Sequence, residues 1–241
     1  MSKTLHTVSI TAAASLIFLG ACGAAPTSET EAAESHQTAT HDAHDMETLP
    51  VEFRVAFMSG HVEAGLSLYR AGAPDQAAKH LLHPVSETHA AERAGIDALG
   101  FQQEVFESVS AKLDAGAAAS EVEPLLQQAE ANMALMQAEA GGDTIEIIGF
   151  LMDTAEEEYG IGVTDGIITD PGEYQDAYGF SIVALKLAKT LEGDAASDLT
   201  TELRILTDLW PETGPLADSA PAPSGSVFAQ IADVRSALLA F

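Results

Sequence analysis

Residues 60–89 read GHVEAGLSLYRAGAPDQAAKHLLHPVSETH, and the pattern of this stretch decides the fold. Val55, Phe57 and Met58 just before it, with Val62, Leu66 and Tyr69 inside it, recur at three- and four-residue intervals, which places them on one helix face. Ala71-Gly72-Ala73-Pro74-Asp75 interrupts that pattern. Glycine suits a helix C-terminus, proline presets the first turn of the next helix, and aspartate is tolerated early in it. A second helix is expected from Gln76 to about His83, carrying Ala77, Ala78, Leu81 and Leu82. The stretch is a helical hairpin.

A hairpin allows heights to be compared. His61 lies 11 residues before Gly72 and His83 lies 11 residues after it, so in two antiparallel helices joined by a short turn they stand level. His80 is one turn from His83 on the same side of its helix. Glu87 follows at i+4, but Pro84 intervenes and leaves its direction open. Of the 8 histidines in the chain, 4 (His61, His80, His83 and His89) fall in this stretch and none follows it. Imidazoles that converge suit zinc, copper, iron or nickel, which makes His61, His80, His83 and, less directly, Glu87 candidate ligands. The competing account is structural: His61 bonded to a backbone carbonyl, His83 ending a helix before Pro84, His89 solvated. No HExxH, CxxC or complete Glu-x-x-His repeat is present.

The chain opens with Lys3, an apolar run from Val8 to Gly20 too short for a good membrane span, and then Leu19-Gly20-Ala21-Cys22. This resembles a bacterial lipobox. The resemblance implies that residues 1–21 are a signal peptide and that Cys22 is lipidated, becoming the anchored first residue of the mature chain. Gly23 rather than aspartate after the cysteine resembles lipoproteins passed on to the outer membrane. The expected location is therefore the periplasmic face of the cell envelope. Cys22 is the only cysteine, so no intrachain disulfide can form in a compartment that would permit one.

Residues 22–47 read as a flexible tether. From Gly23 to Glu47 there is no Leu, Ile, Val, Phe, Trp or Tyr, so burial cannot offset the entropy of ordering. His36, His41, His44 and Met46 within it are either a weak metal-binding tract or polar filler. Residues 48–241 are long enough for one domain with its own core.

Beyond the hairpin every periodic segment is helical. Ala90 to Ala115 is expected as helix with a break near Gly100, and Ser120 with Glu123 reads as a capping box for the next helix. Asp143 or Thr144 caps a helix from Ile145 to about Tyr159, and in its acidic end Glu156 is the carboxylate placed to turn inward. Asp170-Pro171-Gly172 introduces a helix that is apolar around most of its circumference, with Glu173 and Asp176 on the face of Phe180, Val183 and Leu187. Two carboxylates heading a buried face need partners. They are either favoured by the helix N-terminus alone or meet the histidines of the hairpin. Two more helices follow, around Leu203 and around Ile231. No alternating stretch is long enough for a sheet. The expected fold is an all-α bundle of antiparallel hairpins.

The formal charge is −27, with 37 acidic against 10 basic residues. Nothing would neutralise phosphates, so nucleic-acid binding is excluded, and attachment to a membrane has to rest on the lipid at Cys22. A carboxylate-lined cleft would concentrate cations, although a saline habitat produces the same composition. Gly60-His61 opening a helix resembles the periplasmic imelysin-type iron-uptake proteins, with Ala64 standing where that family's GxHxxE pattern has glutamate. The resemblance implies a helical iron-handling role and assigns no further residue. The expectation is a non-catalytic envelope lipoprotein that binds iron or copper through His61, His80, His83, Glu87, Glu156, Glu173 and Asp176. The alternative is a metal-free scaffold for envelope protein partners. A hydrolase has the least behind it, since Ser86 beside His83 and His89 forms no nucleophile elbow.

Overall fold

The computed structural model describes residues 49–86 and 95–241. Among them, eight α-helices carry the fold: α1 (Val51–Arg70), α2 (Pro74–Ser86), α3 (Gln103–Asp114), α4 (Ala119–Ala140), α5 (Thr144–Gly162), α6 (Pro171–Ala188), α7 (Asp194–Thr207) and α8 (Ser224–Leu238). A 3-10 turn, Asp97–Leu99, precedes α3. The expected all-α architecture is the one observed. Cys22, the tether, Glu87 and His89 lie outside the described residues.

The local signals mostly end the helices where they should. Gly72 takes the left-handed conformation (φ 82°) that closes the α1–α2 turn. Asp143 accepts hydrogen bonds from the backbone N–H of Ile145 (2.8 Å) and Glu146 (3.3 Å), capping α5. Asp170 does the same for α6 through the Gly172 N–H, with Pro171 in the first turn. Between these helices Val163–Thr164 pairs antiparallel with Ile167–Ile168. Asp165 and Gly166 both take positive φ there (53° and 75°), as an Asp-Gly hairpin turn requires.

Two expectations change. α2 runs on to Ser86 with Pro84 inside it: the missing N–H leaves one i−4 bond of the last turn unmade, and the proline is buried. Ser120 is not a cap: α4 starts from Ala118 with no side-chain capping bond, and Lys112 pairs instead with Glu121 at 2.7 Å beside the helix start.

The helices form two cores that meet along one seam. Val55, Met58, Leu66, Leu81, Phe106, Leu126 and Met136 fill the first, among α1 to α4. Leu151, Met152, Tyr159, Tyr174, Phe180, Leu203 and Ile231 fill the second, among α5 to α8. Each such side chain contributes about 1.5–3 kcal/mol on burial. The seam is the crossing of α1 with α6, and small residues set its closeness. A methyl group on Gly179 would stand 2.1 Å from the Gly60 carbonyl oxygen, and one on Gly60 would stand 2.0 Å from the Phe180 ring. On an adjacent face of α1, a Cβ on Gly65 would stand 2.7 Å from Leu81 of α2. α1 thus carries two flat faces, one for each neighbour, and the space between α1, α2 and α6 is narrow enough for their polar side chains to meet. No described helix is long and apolar enough to cross a membrane.

Candidate metal centre

Four side chains converge where these three helices approach: His61 from α1, His80 and His83 from α2, and Asp176 from α6. Their donor atoms all lie within 4.8 Å of one another. Asp176 Oδ1 stands 2.7 Å from His61 Nδ1 and 2.9 Å from His80 Nδ1. His83 Nδ1 is 3.1 Å from His61 Nδ1 and 4.0 Å from Asp176 Oδ2. His61, His80 and Asp176 are buried, whereas the His83 side chain keeps 22% of its surface exposed and is the member of the cluster facing solvent. The rings of Phe57 and Phe180 flank His61 at centroid distances of 4.6 and 5.5 Å and wall the site on its inner side.

The electrostatics keep the carboxylate charged and the outer ring neutral. Burial alone would raise the Asp176 carboxyl, but the His61 and His80 imidazoles overcome it and hold the group well below the usual carboxylate range. Burial, reinforced by the His61 ring, pushes His83 down to about 3 against the opposing pull of Asp176, so His83 is neutral at physiological pH. His80 Nε2–H donates to Gln175 Oε1 at 2.7 Å. His61 Nδ1 has one proton or one lone pair for two close neighbours, an oxygen and a nitrogen.

The three shortest spacings are hydrogen-bond distances that a first-row transition ion could also span. Donors about 2.0–2.1 Å from such an ion and at right angles to each other stand about 3 Å apart. The observed 2.7, 2.9 and 3.1 Å separations are of that size. Three imidazoles and one carboxylate suit iron, zinc, copper or nickel; calcium and magnesium prefer all-oxygen shells.

The remaining sequence candidates stand elsewhere. Glu156 does not turn inward: its carboxylate pairs with Arg235 of α8 at 2.6 Å, and Arg235 also holds Asp153. The inward carboxylate of that acidic run is Glu158, which is fully buried. It continues the buried stripe Leu151, Ala155, Glu158 and Gly162, whose helical spacing is visible in the sequence. Glu173 lies one turn before Asp176 and hydrogen-bonds Glu158 rather than a histidine. Burial first, then that bond and the charges of Glu158, Asp176 and Asp170, push the Glu173 carboxyl up to about 10, so it keeps its proton at neutral pH. Gln175, not singled out from sequence, touches the cluster directly through His80.

No curated protein and no solved structure matches the chain. Residues 136–238 match the family described as the iron permease-associated 4-helix bundle domain. The matched stretch begins at the end of α4 and takes in α5 to α8, the second of the two cores; Asp176 lies within it, the three histidines outside it. That half of the chain is similar to a domain associated with iron permeases.

Proposed function

We propose that this protein captures a first-row transition-metal ion, with iron as the cargo, through His61, His80, His83 and Asp176, and serves as an envelope accessory to an iron permease. The observation that carries the reading is the convergence of four donor atoms within 4.8 Å in a buried, carboxylate-containing site. The likeness of residues 136–238 to an iron permease-associated bundle supports iron over copper and supports a membrane permease as partner. Lipidation at Cys22, on the lipobox-like Leu19-Gly20-Ala21-Cys22, would hold the domain at the membrane surface on its tether. The partly exposed His83 is the point of entry, and the net charge of −27 draws cations toward it.

The test is anaerobic titration of the purified protein with Fe2+, alongside Cu2+ and Zn2+, with bound metal quantified after gel filtration. One ion per chain is expected, lost in a His61→Ala, His83→Ala double variant that keeps its helical circular dichroism. A chain that retains none of the three ions overturns the reading and leaves the cluster as a structural polar network in a partner-binding scaffold. Lipidation is checked separately: labelled fatty acid should enter the wild type and not Cys22→Ala.

A further inference from the structure

We propose that Gln175, held by Gln76, is a positioning residue of the site: it accepts a hydrogen bond from His80 Nε2–H and so presents His80 Nδ1 as a lone pair to the ion. This inference rests on the metal-binding reading above and adds the device that makes His80 a ligand.

The geometry is a closed loop between two helices. Gln175 and Asp176 are consecutive on α6, so their side chains diverge by about 100° around the helix and straddle the His80 ring. Asp176 Oδ1 faces Nδ1 at 2.9 Å and Gln175 Oε1 faces Nε2 at 2.7 Å. Gln76 and His80 stand at i and i+4 on α2, one above the other. The Gln175 side-chain N–H donates to Gln76 Oε1, which turns the Gln175 carbonyl toward His80. His80 and Gln175 are each only 2% exposed, so water has little part in choosing the ring's tautomer.

That choice matters because a neutral imidazole carries one proton. With the amide of Gln175 turned the other way, His80 would accept at Nε2 and keep its proton at Nδ1, donating it to Asp176. His80 would then offer no lone pair at Nδ1 to an ion. With the observed orientation a ring that keeps a single proton holds it at Nε2, and its lone pair is at Nδ1, on the side of Asp176 Oδ1. A ligating histidine whose second nitrogen donates to a carbonyl is the arrangement that fixes tautomer and ring direction at metal sites. Gln175 is neutral, so it does this without adding a second negative charge beside Asp176.

The experiment uses the full chain, 15N-labelled at histidine and loaded with diamagnetic Zn2+. Two-bond proton–nitrogen correlation reads the His80 tautomer, and competition with a chromophoric chelator reads the zinc Kd. The expected ring is protonated at Nε2. Gln175→Leu should weaken zinc binding about 10–100-fold, whereas Gln175→Glu, which keeps an acceptor for the Nε2 proton, should restore wild-type affinity or exceed it. A zinc-loaded wild type with His80 protonated at Nδ1 overturns the inference, as does Gln175→Leu with unchanged affinity. The tautomer measurement is made on the wild type, so it decides even where Gln175→Leu fails to fold. A wild type that binds no ion overturns the metal reading and this inference together; binding with the wrong tautomer overturns this inference alone.

Discussion

Two carboxyl groups sit one helical turn apart on α6, Asp176 buried and Glu173 half-buried, and handle charge in opposite ways. At Asp176 the carboxylate stays ionised because imidazoles on α1 and α2 face it. At Glu173, one turn earlier, the facing group is another carboxyl, Glu158, and the proton is retained. One helix and one side-chain chemistry thus produce a charged site and a neutral one. The partner across the interface decides which, since an isolated charge in a buried position is too costly to keep. Only the first can take up a cation without first giving up a proton. That is why the metal assignment goes to Asp176 and not to Glu173, which stood equal to it in the sequence.

The comparison can be broken most severely at Asp176. Asp176→Ala leaves two buried histidines without their acceptor and should cost about 3–5 kcal/mol, measured by chemical denaturation, together with loss of stoichiometric metal. A variant with full stability and full metal content would remove Asp176 from the site. The next largest effect is expected at the crossing that brings the helices together. Gly179→Ala places a methyl group 2.1 Å from the Gly60 carbonyl oxygen, so α1 and α6 must separate. About 1–3 kcal/mol should be lost, with weaker metal binding because His61 moves away from Asp176. Thermal unfolding and zinc titration on the same sample check both.

The pH dependence sharpens the contrast without removing a ligand. Glu173 is raised in the folded state from 4.5 to about 10. The unfolded chain therefore releases this proton first, and the stability contribution, complete below pH 4.5, is lost as pH rises toward 10. His83 tilts the other way: lowered from 6.5 to about 3, it contributes fully above pH 6.5 and its contribution is lost as pH falls toward 3. Glu173→Gln should flatten the alkaline decline of stability and leave the acid decline in place, read from melting temperatures across about pH 4 to 10. An unchanged alkaline limb would mean that Glu173 ionises normally. The smallest effect is expected at Glu156, whose partly exposed pair with Arg235 should be worth at most about 1 kcal/mol. Glu156→Ala should leave metal binding untouched; a loss of metal there would return Glu156 to the ligand set.

Much of the site was legible because it depends on helical spacing. Equal counts from Gly72 place His61 and His83 level, and their Nδ1 atoms stand 3.1 Å apart. The hairpin turn is short and local, so sequence distance converts directly into height. The choice among carboxylates was not legible. Glu156 and Glu158 both lie near the inner face of α5, and the packing of α8 decides between them: Arg235 takes Glu156 outward while α6 closes over Glu158. The capping residue of α4 was misread for a related reason. Ser120 has the right chemistry, but the preceding turn already starts the helix at Ala119, a residue too early for it to cap.

The sequence by itself determined an all-helical chain, its hairpins and the concentration of histidine in one of them, because periodicity, glycine and proline act over a few residues. Tertiary structure alone decided that two cores meet along α1 and α6, that glycines at the crossing let three helices close on one point, and that Asp176 with Gln175 completes what the histidines begin. Those outcomes depend on contacts between residues about a hundred positions apart, such as His61 with Asp176 and His80 with Gln175. No local pattern encodes which buried carboxyl will face an imidazole and which will face another carboxyl; the packing of the helices around α6 does.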